Sequence, residues 1–206
     1  MDDQVLRGLA KWPNVPAVYG WLALDRRGNW LLQGEPISNT TVTAYIARNY
    51  ERDAEGRWFF QNGPQRVFVD LEYTPFVYRT IPSGAQLGLE AHTRERATAL
   101  SGAWIDESGA MLLETEHGVG IVDDRDLDTM LGVLVDSNGA ALSEDALDQT
   151  MSLVQHGEEA PLWLKLGESE VKVRFIHSGE VPARFGFTAH PTDAQEALAA
   201  SRSARA

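Results

Sequence analysis

The sequence predicts an α+β protein made of two tandem copies of a bent antiparallel sheet, each copy with one main helix. Three observations carry that reading. Four segments share the form apolar–Asp–two residues–Gly, with Arg52 in the apolar place of the second. A helix signal lies in the gap between the two such segments of each half. Two strings also recur in the same order. Arg79-Thr80-Ile81-Pro82-Ser83-Gly84 is echoed by Arg174-Phe175-Ile176-His177-Ser178-Gly179, and Leu87-Gly88-Leu89-Glu90-Ala91-His92 by Phe185-Gly186-Phe187-Thr188-Ala189-His190. A copied unit buries its two versions against each other, and the seam is then the expected ligand site.

The elements follow in order. The four turns are Asp25 to Gly28, Asp53 to Gly56, Asp106 to Gly109 and Asp136 to Gly139. Asp at the first position accepts a bond from the backbone further along, and Gly at the fourth supplies the positive φ that closes the hairpin. Strands flank the first turn at Tyr19 to Leu24 and Asn29 to Leu32, and the third at Ala103 to Ile105 and Ala110 to Leu113. Between the first two turns, Ser38 or Asn39 caps a helix that carries Val42, Tyr45 and Ile46 at helical spacing. Between the last two, Asp123 caps a helix that carries Leu127, Met130 and Leu131. A strand pair follows in each half: Val67 to Leu71 with Phe76 to Tyr78, and Leu162 to Leu166 with Val171 to Val173. An extra helix is expected near 143–157, where the spacing between the halves grows. The expected division is a first copy at 1–98, a second at 99–192 and a frayed or disordered tail at 193–206.

Composition bounds the function. The net charge of −12 is uneven: residues 1–98 carry 11 basic and 11 acidic side chains, and the remainder 7 and 19. Such a chain lacks the cationic surplus needed to coat nucleic acid, while the Arg-rich half can still recognise a local anion. With no cysteine, disulfides and thiolate metal sites are excluded. No apolar run is long enough for a membrane-spanning helix, and the acidic N-terminus does not read as a secretory signal. The expected location is the cytoplasm.

The run Trp30-Leu31-Leu32-Gln33-Gly34-Glu35-Pro36-Ile37, then Asp53-Ala54-Glu55-Gly56-Arg57-Trp58, then Val69-Asp70-Leu71-Glu72-Tyr73-Thr74-Pro75-Phe76-Val77 resembles the bacterial domain-of-unknown-function family 1285. The match covers roughly 30–77 and rests on structural residues. It implies a duplicated core, a pleckstrin-homology-like C-terminal unit, a ligand site between the units for a nucleotide-like molecule, and a signalling role. Tyr73 stands where that family places an acid, and the linker Asn62-Gly63-Pro64-Gln65-Arg66 also departs from it, so a sister family is the alternative.

Candidate chemistry is sparse. Arg79 and Arg174 can pin a carboxylate or phosphate by paired hydrogen bonds, but an Arg on a strand commonly pairs with an acid across the sheet. His92 and His190 can flank a shared site or simply cap strand ends. Glu72 is the orienting carboxylate of this set. Ser83-Gly84 and Ser178-Gly179 read as anion nests or as tight turns. Asp123 to Asp128 reads as a capped helix start or as a cation loop. Trp21, Trp30, Trp58, Tyr19, Tyr50, Phe59 and Phe60 fill a core, and any exposed ones beside Arg26, Arg27, Arg48, Arg52 and Arg57 suit a planar anion.

No nucleophile elbow, phosphate loop or dinucleotide fingerprint is present. The expectation is a non-catalytic binding or regulatory protein for a small anion or a protein partner, with no cofactor or metal. A hydrolase with a histidine base and a pleckstrin-type interaction scaffold are the alternatives.

Overall fold

The computed structural model describes residues 1–12, 15–84, 86–158 and 160–193. The expected tail lies outside the described residues from 194 onward. The protein is mixed α and β, dominated by two curled sheets. Its contacts define two compact units. The first takes in Met1–Asp25, Asn29–Tyr73 and the chain from Gly186; the second takes in Arg26–Gly28 and Thr74–Phe185. The expected boundary at 98/99 falls between two strands of one sheet within the second unit.

The first unit begins with α1 (Asp3–Lys11), followed by β1 (Val18–Leu24), β2 (Trp30–Leu32) and β3 (Glu35–Pro36). Then come α2 (Thr40–Arg48), β4 (Tyr50–Arg52), β5 (Trp58–Asn62) and β6 (Gln65–Leu71). The strand order is β3-β2-β1-β6-β5-β4. β1 and β6 run parallel, and every other pair is antiparallel. Asn39 caps α2 by accepting the Thr41 and Val42 backbone N–H groups, as its place before the apolar spacing predicts. The aromatic cluster is mainly core. Trp30, Tyr50, Phe59 and Phe60 are buried, Tyr19 stacks on Phe68 at 4.6 Å, and Trp21 is exposed.

The second unit contains β7 (Phe76–Ser83), β8 (Gln86–Ala91), β9 (Arg96–Ala97), β10 (Leu100–Ile105), β11 (Met111–Thr115) and β12 (Gly118–Val122). These are followed by α3 (Leu127–Leu131), β13 (Leu134–Val135), α4 (Glu144–Gln155), β14 (Trp163–Leu166), β15 (Ser169–Phe175) and α5 (Val181–Phe185). The order is β13-β14-β15-β10-β11-β12-β7-β8-β9. β10 and β15 run parallel, as do β12 and β7. Ile105, Leu112, Leu113, Leu162 and Leu164 have no exposed surface and form its core, each contributing roughly 1.5–3 kcal/mol by burial.

The four Asp turns share one geometry. The Asp carboxylate accepts the backbone N–H four residues on, at 2.8 Å from Asn29 and 2.9 Å from Arg57, Ala110 and Ala140. Gly28, Gly56, Gly109 and Gly139 hold φ between +76° and +82°, a region costly for residues with a Cβ. Asp123 accepts the Arg125 backbone N–H and caps a short 3-10 turn at Asp124–Asp126 ahead of α3. The extra helix is α4, capped by Ser143.

One expected pairing does not form. The strand at 67–71 bonds β5 and β1, whereas 76–78 belongs to β7 in the other sheet. The link Glu72 to Pro75 contains no positive-φ residue to close a hairpin. Thr74 instead locks the start of β7: its hydroxyl donates to the Phe76 carbonyl at 2.7 Å and accepts the Ile121 N–H at 2.9 Å. The expected pair at 162–166 and 171–173 does form, as β14 and β15. The echoed strings sit in unlike places. Ser83-Gly84 lies at the β7–β8 turn, while Ser178-Gly179 begins a 3-10 turn after β15.

Candidate functional site

The site is built on α1 in the first unit. Asp2 precedes the helix and Lys11 lies in its last turn, the charge arrangement favoured by the helix dipole. Val5 faces inward at 1% exposure. Fully buried Asn49 fastens the helix start: its Oδ1 accepts the Asp2 N–H at 2.8 Å and its Nδ2 donates to the Tyr45 carbonyl at 3.0 Å. The Asn49 hydrogen bond, aided by Arg48 at 3.5 Å, holds the Asp2 carboxyl below its ordinary range.

Arg7 and Lys11 are four residues apart and therefore share one helix face. The Trp12 N–H closes the helix on the Gly8 carbonyl at 2.9 Å. Its indole is 53% exposed, and Lys11 Nζ lies 4.5 Å from the ring centroid. Tyr45 of α2 packs edge-on against Phe60 at 5.3 Å. The β5–β6 turn supplies Asn62, Gly63 and Pro64, and buried Gln61 steadies it by donating to the Gly63 carbonyl at 2.9 Å. These elements surround an open groove of about 610 Å³ whose charged lining residues are Arg7 and Lys11. Two cations beside an exposed indole and a phenol can bind an anion that also carries a flat ring.

The residues picked out from the sequence are dispersed. Glu72 follows β6 and is exposed; its N–H donates to the Leu24 carbonyl at 3.0 Å. His190 is also exposed, with Nδ1 3.6 Å from Asp70 Oδ1. The Leu71 N–H bonds the Ala189 carbonyl at 2.8 Å, so the chain segments of Glu72 and His190 adjoin within the first unit. Arg79 and His92 share the β7–β8 hairpin of the second unit. Arg79 Nε lies 3.3 Å from Asp126 and 3.6 Å from Asp123. His92 Nδ1 accepts the Val77 N–H at 3.3 Å, and the His92 N–H donates to the Val77 carbonyl at 2.8 Å. Arg174 is exposed on β15. β15 and β7 are four strands apart in the sheet order, so Arg79 and Arg174 stand on non-adjacent strands.

The arginines near the aromatic cluster have protein partners as well. Arg27 bonds Asp124, Arg48 bonds Asp2, Arg52 bonds the Gly186 carbonyl, and Arg57 bonds Asp53 and Glu55. The groove escaped sequence reasoning because α1 did. Val5, Leu9 and Trp12 recur at helical spacing behind Asp2 and Asp3, and that signal identifies the helix.

Among the described residues, no group of three or more His, Asp or Glu side chains is placed to hold a metal. No helix among them is long and apolar enough to cross a membrane.

No curated protein matches this chain. Two solved structures are similar to it. A DUF1285 family protein from Silicibacter pomeroyi DSS-3 is 16% identical, with a TM-score of 0.51 over 81% of this chain and 86% of that one. A DUF1285 family protein from Shewanella baltica OS155 is 12% identical, with a TM-score of 0.41 over 53% of this chain and 88% of that one. The first likeness is one of fold. The family model DUF2944, described as "Protein of unknown function (DUF2946)", matches residues 1–192, and the chain belongs to that family.

Proposed function

We propose that this chain is a non-catalytic binding protein of regulatory type whose ligand is a small anion of nucleotide-like chemistry, held in the groove of the first unit. The observation that carries this reading is the juxtaposition of Arg7 and Lys11 with the exposed Trp12 indole and Tyr45 around about 610 Å³. That volume is within the range of small-molecule sites. A phosphate meets the two cations, and a base stacks on the indole. The local cationic character sits in the half of the sequence with no net charge, away in sequence from the acidic residues that make up the −12.

Thermal shift of the full chain against a panel of nucleotides and simple anions tests the reading. A ligand at a hundred times its Kd stabilises by about 2.7 kcal/mol. For a chain of this length that raises the Tm by about 5–10 °C. The Arg7→Ala/Lys11→Ala double variant abolishes the rise. The reading fails if no nucleotide raises the Tm, or if the double variant responds as the parent does.

We also propose that the two sheets descend from one copied unit, spanning 18–71 and 100–175. Their strand orders support it: β3-β2-β1-β6-β5-β4 in one and β12-β11-β10-β15-β14-β13 in the other, each with its central pair parallel and each with its helix between the third and fourth strands. The four Asp turns fall at matching connections. So do two backbone bonds, from the Glu72 N–H to the Leu24 carbonyl and from the Ile176 N–H to the Ile105 carbonyl. On this reading α4 is an insertion in the later copy. A superposition of an experimental structure tests it: the six strands of each copy coincide, and failure of the helices to fall at the same connection contradicts it.

A further inference from the structure

We propose a second binding site, in the second unit, for an apolar amino acid or dipeptide in its zwitterionic form. It stands independently of the groove at α1. The nine-stranded sheet curls until β14 approaches β8. Between the β7–β8 turn, the stretch from β9 to β10 and the β14–β15 turn lies a pocket of about 400 Å³. Leu87, Leu89, Leu100 and Leu166 make its apolar wall. Its charged lining residues are one cation, Arg96, and one anion, Glu168. Both are exposed, and among the described residues neither side chain has an ion-pair or hydrogen-bond partner.

The walls are tied together without ligand. The Leu100 N–H donates to Ser169 Oγ at 3.2 Å, joining the start of β10 to the start of β15. Glu116 clamps the β9–β10 link by accepting the Thr98 N–H at 2.6 Å, the Thr98 hydroxyl at 2.7 Å and the Ala99 N–H at 3.2 Å. Glu116 is not among the lining residues, which leaves Arg96 and Glu168 as the pocket's charged lining groups beside the uncharged Ser83, Gln86, Thr98 and Ser169. A preformed pocket with a leucine wall, one uncommitted positive and one uncommitted negative group matches a ligand with a carboxylate, an ammonium and an aliphatic side chain. A singly charged metabolite leaves one of the two groups unanswered. The volume admits a dipeptide.

Isothermal titration of the full chain with leucine, leucyl-leucine, N-acetyl-leucyl-leucine and leucyl-leucine amide tests this. Saturable binding is expected for leucine or leucyl-leucine. Blocking either terminus of the dipeptide weakens binding about tenfold, the loss expected of one charge-assisted contact. Arg96→Ala removes the preference for the free acid, and Glu168→Gln removes the preference for the free amine. Both residues are exposed, so the variants keep the parental Tm, which is checked. The Arg7→Ala/Lys11→Ala variant retains binding, separating this site from the groove. The proposal is overturned if neither free ligand saturates at millimolar concentration, if the blocked dipeptides bind as well as the free one, or if folded Arg96→Ala and Glu168→Gln keep both preferences.

Discussion

Asp123 is the sharpest test of whether Arg79 is structural, because its carboxylate has no exposed surface and yet is charged. Burial alone raises its pKa. The side-chain and backbone hydrogen bonds from Arg125, with the charges of Arg125 and Arg79, outweigh burial and pull it down to about 2. A fall from the ordinary 3.8 to about 2 corresponds to about 2 kcal/mol of stability. The sign follows from the depressed value. The contribution is complete above pH 4–5 and is lost as the pH falls toward 2, with about half gone at pH 3. Asp123→Asn keeps an oxygen for the Arg125 backbone N–H but removes the charge and the second acceptor, to which the Arg125 guanidinium donates. Urea unfolding at pH 7 should show a midpoint lower by about 0.8–1 M at an unchanged slope, taking a slope of about 2–2.5 kcal/mol/M. At pH 3 the gap between variant and parent should narrow by about 1 kcal/mol. An Asn variant as stable as the parent at pH 7, or a gap independent of pH, would refute the reasoning.

Other perturbations follow from the same packing. Arg79→Met should lower stability more at pH 7 than at pH 3 and leave nucleotide affinity unchanged; a selective loss of affinity on titration would make Arg79 a ligand group after all. Gly120→Ala places a Cβ 2.5 Å from the Tyr78 ring and 2.9 Å from Phe76 Cβ, so denaturation should show a loss of about 1–3 kcal/mol from overpacking. Buried Asp106 accepts the Ser108 N–H, the Ser108 hydroxyl and the Ala110 N–H. Asp106→Ala should therefore cost about 2–3 kcal/mol, and Asp136→Ala at the matching exposed turn should cost less; equal losses would sever stability from burial at these turns.

The sequence reveals the turns because their chemistry is local. An Asp that accepts the N–H four residues on and a Gly at positive φ are specified within five positions, and all four form. The Asn39 cap is legible for the same reason. Strand partners are not local. Nothing within 67–78 declares that β6 joins β1 while β7 joins β12, and the parallel pairing of Val18–Leu24 with Gln65–Leu71 spans more than forty residues. The echo of Arg79 by Arg174 illustrates the cost. It is a likeness of letters that falls on a hairpin in one place and on a parallel central strand in the other. The arginines beside the aromatic cluster read as available in sequence because their partners are distant; Arg27 meets Asp124 across 97 positions. The groove needs α1, Tyr45 and the 62–64 turn together, and no single segment announces it.

Calorimetric titration of the full chain with adenosine monophosphate and, separately, with adenosine measures the anion-plus-ring chemistry of the groove directly. The monophosphate should bind saturably and at least about tenfold more tightly than the nucleoside, with Trp12→Ala weakening both and Arg7→Ala/Lys11→Ala erasing the difference between them. Equal heats for the two ligands, or a monophosphate affinity indifferent to all three substitutions, would contradict the account.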